Sequence, residues 1–481
     1  MTLLSNKKFA ISWILTGIFF LFLAVSVYLE EFYWLILPFA ALVFYSGWQQ
    51  PRLVFFLLLL ALPFSFEYNF SPTLGTDIPD EGLMLLVSFL FFAYWLYDPS
   101  IIPAGCWKHP LLFFLFIHLS WILVTVLFST QSLLSVKYLL AKAWYMGSFI
   151  LAALAIFHSK KNIRTAAIIL SVGVLIMAIV ALTRHARNNF SFAMVNESVA
   201  PFFRNHVNYS SMLICVVPVL LAFYKGAKQK QLRFWLGIAL AVLLLAIFFS
   251  YARGAWLALG MGFLAVWLIK KRLLLIAYIA AIIITLSTAF WLQSNERYLR
   301  YAHDFNTTIF HENFGQHLVA TYKLKDVSTA ERFYRWVAAV RMVKDSWLHG
   351  FGPGSFYEQY KSYTIPAYKT WVSDNKEHST VHNYFLLLLI EQGVPGLFFF
   401  LLLLGAMLYY AQKLYHRVED SFYRTVAVTA GAIIVMIATV NFLSDLIETD
   451  KIGSLFFLCL SLFVMCDINS RKGPQTATKP E

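Results

Sequence analysis

Apolar residues in this chain come in long unbroken blocks, not in stripes. Fourteen blocks can be marked, at 9–28, 32–48, 53–66, 83–97, 111–128, 139–157, 165–183, 207–224, 234–250, 255–269, 273–292, 394–411, 422–443 and 452–466. A helix needs about 20 residues to cross the ~30 Å hydrocarbon layer of a membrane, and most blocks approach that length. Those at 53–66 and 83–97 are short, so the pattern predicts about 12–14 transmembrane helices. None alternates with period two as barrel strands do, and inside lipid only helices and closed barrels satisfy every backbone group. The expected fold is therefore an all-α polytopic membrane protein. Met1 to Tyr28 holds no small-residue cleavage site and reads as a first span, not a removed leader.

One long polar interval interrupts the blocks, between Leu292 and Val394. It is too long for a simple connection. Tyr334, Trp336, Trp347, Phe351, Phe356, Tyr357, Tyr360 and Trp371 argue for a folded cap over disorder. Ser328-Thr329-Ala330-Glu331 has the form of a capping box, which predicts a helix from near Thr329 to near Trp347. The following H-G-F-G-P-G-S-F at 349–356 follows no strand and lacks a P-loop lysine, so it reads as a tight turn. The chain thus divides into N-terminal transmembrane helices (1–200), a transmembrane core (201–292), one large helical loop (293–393) and C-terminal helices with a short tail (394–481).

Composition agrees with the blocks and removes alternatives. With 60% hydrophobic and 13% charged residues, the chain has about half the charge of an ordinary soluble domain. A soluble enzyme, a disordered tail and a nucleic-acid-binding module are excluded. The net charge of +13 then becomes a question of sides. With the N-terminus in the cytoplasm, alternate loops collect 19 of the 38 Lys and Arg residues, in clusters such as Lys160/Lys161/Arg164 and Lys270/Lys271/Arg272. The opposite short loops carry acids, as at Asp77/Asp80/Glu81 and Asp445/Glu448/Asp450. The positive-inside rule predicts both termini in the cytoplasm and the large loop on the outer face. Cys106, Cys215, Cys459 and Cys466 fall outside that loop and read as ordinary small apolar residues, with no structural disulfide expected.

Ionisable residues near spans are costly, so they mark candidate chemistry. Three outward places concentrate them. The interval 184–206 ends in Arg204, Asn205 and His206 at the mouth of a span, where they could anchor the interface or serve a site. In F-S-Y-A-R-G-A-W-L-A, Arg253 is the only charge between two apolar blocks, and a tight turn at Gly254 is expected to hold it at the outer surface. A cation there opposes the orientation bias, and a guanidinium suits phosphate. In the large loop, Arg332 and Arg335 stand three apart on one helix face beside Trp336. Further on, His378 and His382 have the i, i+4 spacing of zinc ligands on a helix, but without the Glu of an H-E-x-x-H motif. The competing role is a neutral imidazole accepting a proton, which an ordinary pKa near 6.5 suits. No metal and no cofactor are expected.

Four segments carry a resemblance: R-N-H-V-N-Y-S-S-M at 204–212, S-Y-A-R-G-A-W-L-A at 250–258, the stretch from Glu331 to Phe356, and H-N-Y-F-L-L-L-L-I-E-Q-G-V-P-G-L at 382–397. Together with the surrounding spans they make residues 200–410 resemble the O-antigen ligase and O-antigen polymerase superfamily. The resemblance implies a membrane-embedded, GT-C-like glycosyltransferase, metal-independent and inverting. Its donor would be an undecaprenyl-pyrophosphate-linked glycan at the periplasmic face of the bacterial inner membrane. The acceptor would be lipid A–core for a ligase, another lipid-linked unit for a polymerase, or a protein hydroxyl for an oligosaccharyltransferase. Position by position, it implies pyrophosphate binding by Arg253 and Arg332, catalysis by His382, and supporting roles for Arg204, His206, Arg335 and His378. Glu331 matches the family's acidic residue before the arginine, whereas Asp445 has no counterpart in the motif. A polysaccharide transporter or flippase is the non-enzyme alternative. It is disfavoured because no internal repeat is visible and the charges gather at one surface.

Overall fold

A computed structural model describes residues 17, 21–22, 36–71, 74–301, 327–366, 369, 373–374 and 379–471. Most of the first apolar block, Lys472 and His378 lie outside the described residues. Within them, eleven helices are long and apolar enough to cross a membrane. The blocks at 32–48 and 53–66 form shorter helices, α1 (Ile36–Gln49) and α2 (Pro51–Ala61). The polytopic helical fold follows the apolar pattern, with one addition. An antiparallel hairpin, β1 (Phe66–Ser71) and β2 (Leu74–Ile78), links α2 to α3 (Asp80–Tyr97).

The remaining long helices are α4 (Pro110–Leu127), α5 (Ser132–Tyr145), α6 (Lys160–Arg187), α7 (His206–Gly226), α8 (Lys230–Phe249), α9 (Arg253–Lys270), α10 (Leu274–Gln293), α11 (Val327–Asp345), α12 (Tyr384–Arg417), α13 (Ser421–Asn441) and α14 (Asp450–Arg471). Starts are set locally: Ser159, Asn205, Asn383 and Asp420 each accept a first-turn N–H, and Pro51 and Pro110 occupy first positions where no N–H is needed. The α9 helix buries Ala255, Ala258, Gly262 and Ala265, a small-residue stripe that lets α13 approach closely. Nearly all of α14 is buried, which makes it the centre of the bundle, whereas α10 is almost wholly exposed apolar surface. At the C-terminal end of α14, fully buried Asp467 is paired with Arg417 and Arg471. The candidate site lies at the other end, where α7, α9, α12 and α14 begin.

Candidate active site

Each candidate residue stands where a helix starts or a loop is pinned. Arg253 is the first residue of α9. The turn before it is at Tyr251, with φ of 55°, not at Gly254, which is helical. Tyr251 Oη donates to Phe190 O at 2.7 Å, which fastens the 188–206 loop beside Arg253. In that loop Asn205 caps α7 by accepting from Val207 and Asn208, so Arg204 and His206 flank a helix start. Asn196 Oδ1 lies 2.8 Å from His206 Nδ1 and accepts its backbone N–H. Arg204 is exposed and His206 half-buried.

Helix α11 supplies the arginine pair and holds the segment before α12. Arg335 Nη1 donates to Thr380 O at 3.0 Å, and Trp336 Nε1 to Val381 O at 3.0 Å. Sharing a face does not give the two arginines one environment. Arg335 is buried and engaged internally with Glu331, 3.3 Å away. Arg332 is half-buried and donates from Nε to Leu443 O at 3.3 Å. Leu443 also faces the first turn of α9, since a Cβ on Gly254 would lie 3.8 Å from its Cδ1. Leu443 is thus met both by the Arg332 side chain and by the first turn of α9, which Arg253 begins. The expected capping box is not what Glu331 serves. Its carboxylate accepts from Ser373 and Arg335, and α11 already includes Val327.

His382 is not on a helix, contrary to the i, i+4 reading with His378. Its φ is 52°, a left-handed conformation uncommon outside glycine, and α12 starts only at Tyr384, capped by Asn383. The strained residue is held from several sides. Its N–H approaches Thr380 Oγ1 at 3.4 Å, Tyr384 N–H donates to Ser444 O at 2.9 Å, and Asp445 Oδ1 lies 3.9 Å from His382 Nδ1. Thr380 also donates its hydroxyl to the other Asp445 oxygen. Burial, then the positive charges of Arg332, Arg335 and Arg204, push the imidazole down to about 3, so the expected value near 6.5 is corrected. The ring is neutral at pH 7. Burial also raises Asp445 above the usual carboxylate range, opposed by the Thr380 hydroxyl. Asp445 is the residue that sequence reasoning could not place. Its signal was its place among the acids of the short loop that also holds Glu448 and Asp450.

The glycine-rich segment is a turn, as its lack of a strand and lysine indicated. Gly350, Gly352 and Gly354 have φ of 69°, 96° and 79°, and the turn docks on a break in α12 at Gly393, whose φ is 70°. Phe351 N–H and Gly352 N–H donate to Ile390 O and Glu391 O, and Val394 N–H donates to Trp347 O at 2.8 Å. The cap is thereby fixed to the helix that follows His382.

Arg204 and Arg253 stand at the starts of α7 and α9, at the positive ends of helix dipoles, where a cation is disfavoured by about 0.3–1 kcal/mol and an anion is welcomed. An anionic group binding among Arg204, Arg253 and Arg332 would meet both. Neutral His382 beside it could take a proton. The residues offer no first-rank metal set here, since His382 faces one carboxylate and several guanidinium groups. Residues 238–401, which hold Arg253, Arg332, Arg335, His382 and Gly393, match the family model described as O-antigen ligase. No curated protein matches the chain.

Proposed function

We propose that this chain, which belongs to the O-antigen ligase superfamily, moves a glycan from undecaprenyl pyrophosphate to an acceptor hydroxyl, most simply that of lipid A–core. Its multi-pass membrane character and O-antigen ligase/polymerase-type family are the premise. The donor, acceptor, inner-membrane location and cytoplasmic termini are part of the proposal. The observation that carries it is the neutral His382 among Arg332, Arg335 and Arg204, facing Asp445.

A sugar 1-pyrophosphate already carries a good leaving group, so the protein need not supply a nucleophile. The acceptor oxygen attacks the anomeric carbon from the face opposite the phosphate. The anomeric C–O bond breaks, the electron pair leaves on undecaprenyl pyrophosphate, and the centre inverts. Arg253 and Arg332 stabilise the charge developing on that pyrophosphate, as fixed cations at a partly desolvated site do well. The hydroxyl proton passes to His382, whose Nδ1 side faces Asp445, leaving Nε2 as the acceptor. Arg335, engaged with Glu331 and Thr380, positions the 380–382 segment instead of touching substrate. Exposed aromatic residues of the cap are available to stack on sugar rings.

The test is transfer in vitro from a purified undecaprenyl-pyrophosphate glycan, with lipid A–core and a lipid-linked glycan offered side by side. Transfer to lipid A–core is expected, with Arg253→Ala, Arg332→Ala and His382→Ala each lowering it by at least about 100-fold while inserting normally. Elongated lipid-linked product alone would make the protein a polymerase. Wild-type transfer by His382→Ala would sink the mechanism.

A further inference from the structure

The polar loop contains one stretch, 346–357, without an Asp, Glu, Lys or Arg, and the chain it docks on lacks them as well from 110 to 136. Where the two meet, apolar side chains stand outside the protein. Trp347 and Leu348 are 59% and 47% exposed, and beside them Leu127 and Phe128, at the end of α4, are 76% and 59% exposed. His349 stacks on Phe128 at 5.0 Å, so the two segments share one surface. That surface continues along the bundle. Val394, Phe398 and Leu402 are exposed at i, i+4 spacing on α12, and Phe116 and Leu123 lead to Leu127 on one face of α4. Both helices are long and apolar enough to span a membrane, where such uncovered stripes meet lipid. Trp347 and Leu348 prolong that surface past the helix ends.

The main chain of the turn is prepared for the same surroundings. A turn in water can leave its backbone groups to solvent, whereas one against lipid must satisfy them within the protein. Phe351 and Gly352 donate their N–H groups to Ile390 O and Glu391 O, and Phe356 N–H donates to Glu391 Oε1 at 3.3 Å. Phe351 O accepts the Thr130 N–H and hydroxyl, each at 2.9 Å, and Pro353 O accepts the Ser135 hydroxyl at 2.6 Å. Gly350 O accepts from Ser346 Oγ at 2.7 Å. Charge returns at both ends of the stretch, where Asp345 and Glu358 are exposed.

We propose that the corner at 346–349 is an interfacial membrane anchor. Trp347 and Leu348, with Leu127 and Phe128, lie in the headgroup layer and fix the height of the cap above the bilayer. An indole, apolar in body with one N–H, suits that layer. The partner is a lipid surface of any headgroup charge, since the patch itself carries none. Helix α11 runs into this corner, so the anchor also sets how far Arg332 stands from the lipid. This inference holds whether or not the glycan-transfer reading does.

The test places a nitroxide label on the full chain in phosphatidylcholine vesicles. The four native cysteines are buried, so the label attaches at an introduced thiol. At Leu348→Cys it should be relaxed more by oxygen, which concentrates in lipid, than by a water-soluble nickel chelate. At Lys361→Cys, an exposed charged position on the cap, the order should reverse. Adding Trp347→Ser should shift the Leu348→Cys label toward the chelate. High salt and anionic phospholipid should change none of this. A label at Leu348→Cys that favours the chelate would put the corner in water. Shielding from both relaxers would put a protein partner or a second copy there, and a lipid preference that needs anionic phospholipid would make the contact electrostatic. Each of these results overturns the proposal.

Discussion

His382 combines a strained backbone with a suppressed basicity, and the two serve one end. The left-handed φ turns the ring out of α12 toward Asp445, while burial and three guanidinium groups keep it unprotonated down to about pH 3. A base that weak accepts protons poorly until its surroundings change. A bound pyrophosphate would offset the guanidinium charges and raise the imidazole pKa. The acid limb of kcat/KM, which reports free enzyme, is therefore expected well below 6.5, and the limb of kcat at a higher pH. Initial-rate profiles over pH 4–8 decide this, and coincident limbs near 6.5 would contradict it. The same shift affects stability. Between about 3 and 6.5 the unfolded chain holds a proton that the folded site refuses, so unfolding becomes easier as pH falls through that window. In the sequence, a candidate was visible where a charge stood alone among apolar neighbours, as at Arg253. It was not legible where meaning comes from an unseen partner. Arg335 and Arg332 look equivalent in the chain, yet only contacts with Glu331 and Thr380 make the first a buried support. Asp445 needed the return of the chain from α13 to acquire its histidine.

Elements followed the apolar pattern closely because membrane burial leaves the backbone few choices. The exceptions arise where backbone meets backbone. Nothing in H-G-F-G-P-G-S-F announces that it will dock on residues 390–394, since the contact is made by carbonyls and N–H groups that every residue has. The glycines are the only trace. A Cβ on Gly393 would lie 2.2 Å from Leu348 O, and one on Gly352 would lie 2.1 Å from Ser129 Oγ and 2.6 Å from Ser129 Cα. Gly260, on α9, has open space around it. Gly393→Ala is expected to destabilise the protein by more than about 2 kcal/mol through strain and lost docking. Gly260→Ala should be neutral or stabilising by up to about 1 kcal/mol. Melting of the two variants in detergent checks the contrast, and equal melting temperatures would refute it.

At the scale of the whole molecule, the short loop between α13 and α14 joins the parts. Asp445 faces His382, and Asn441 Oδ1 accepts Ile447 N–H at 3.0 Å. Glu448 accepts from Tyr138 at 3.0 Å and Lys142 at 2.8 Å, so α5 holds the loop on its other side. Removing one partner of such a pair leaves a charge uncompensated, whereas removing both is better tolerated. Lys142→Met should therefore lower stability by about 3 kcal/mol, and Lys142→Met with Glu448→Leu should recover a good part of that loss. Chemical denaturation of single and double variants measures it, and additive losses would count against the coupling. The positive-inside pattern gave this end of the bundle its acids without revealing that they act as fasteners.

The docking of the glycine turn on the break at Gly393 has a consequence for exchange between relatives. Because the seam is closed by main-chain groups, it places little demand on side-chain identity beyond the small residues at the crossing. A cap taken from another member of the superfamily could be transplanted onto this bundle and keep its seat, provided the glycines on both edges of the seam travel or remain together. Arg253 of α9 would stay in place in such an exchange, while the cap would bring its own counterparts of Arg332 and Arg335 on α11.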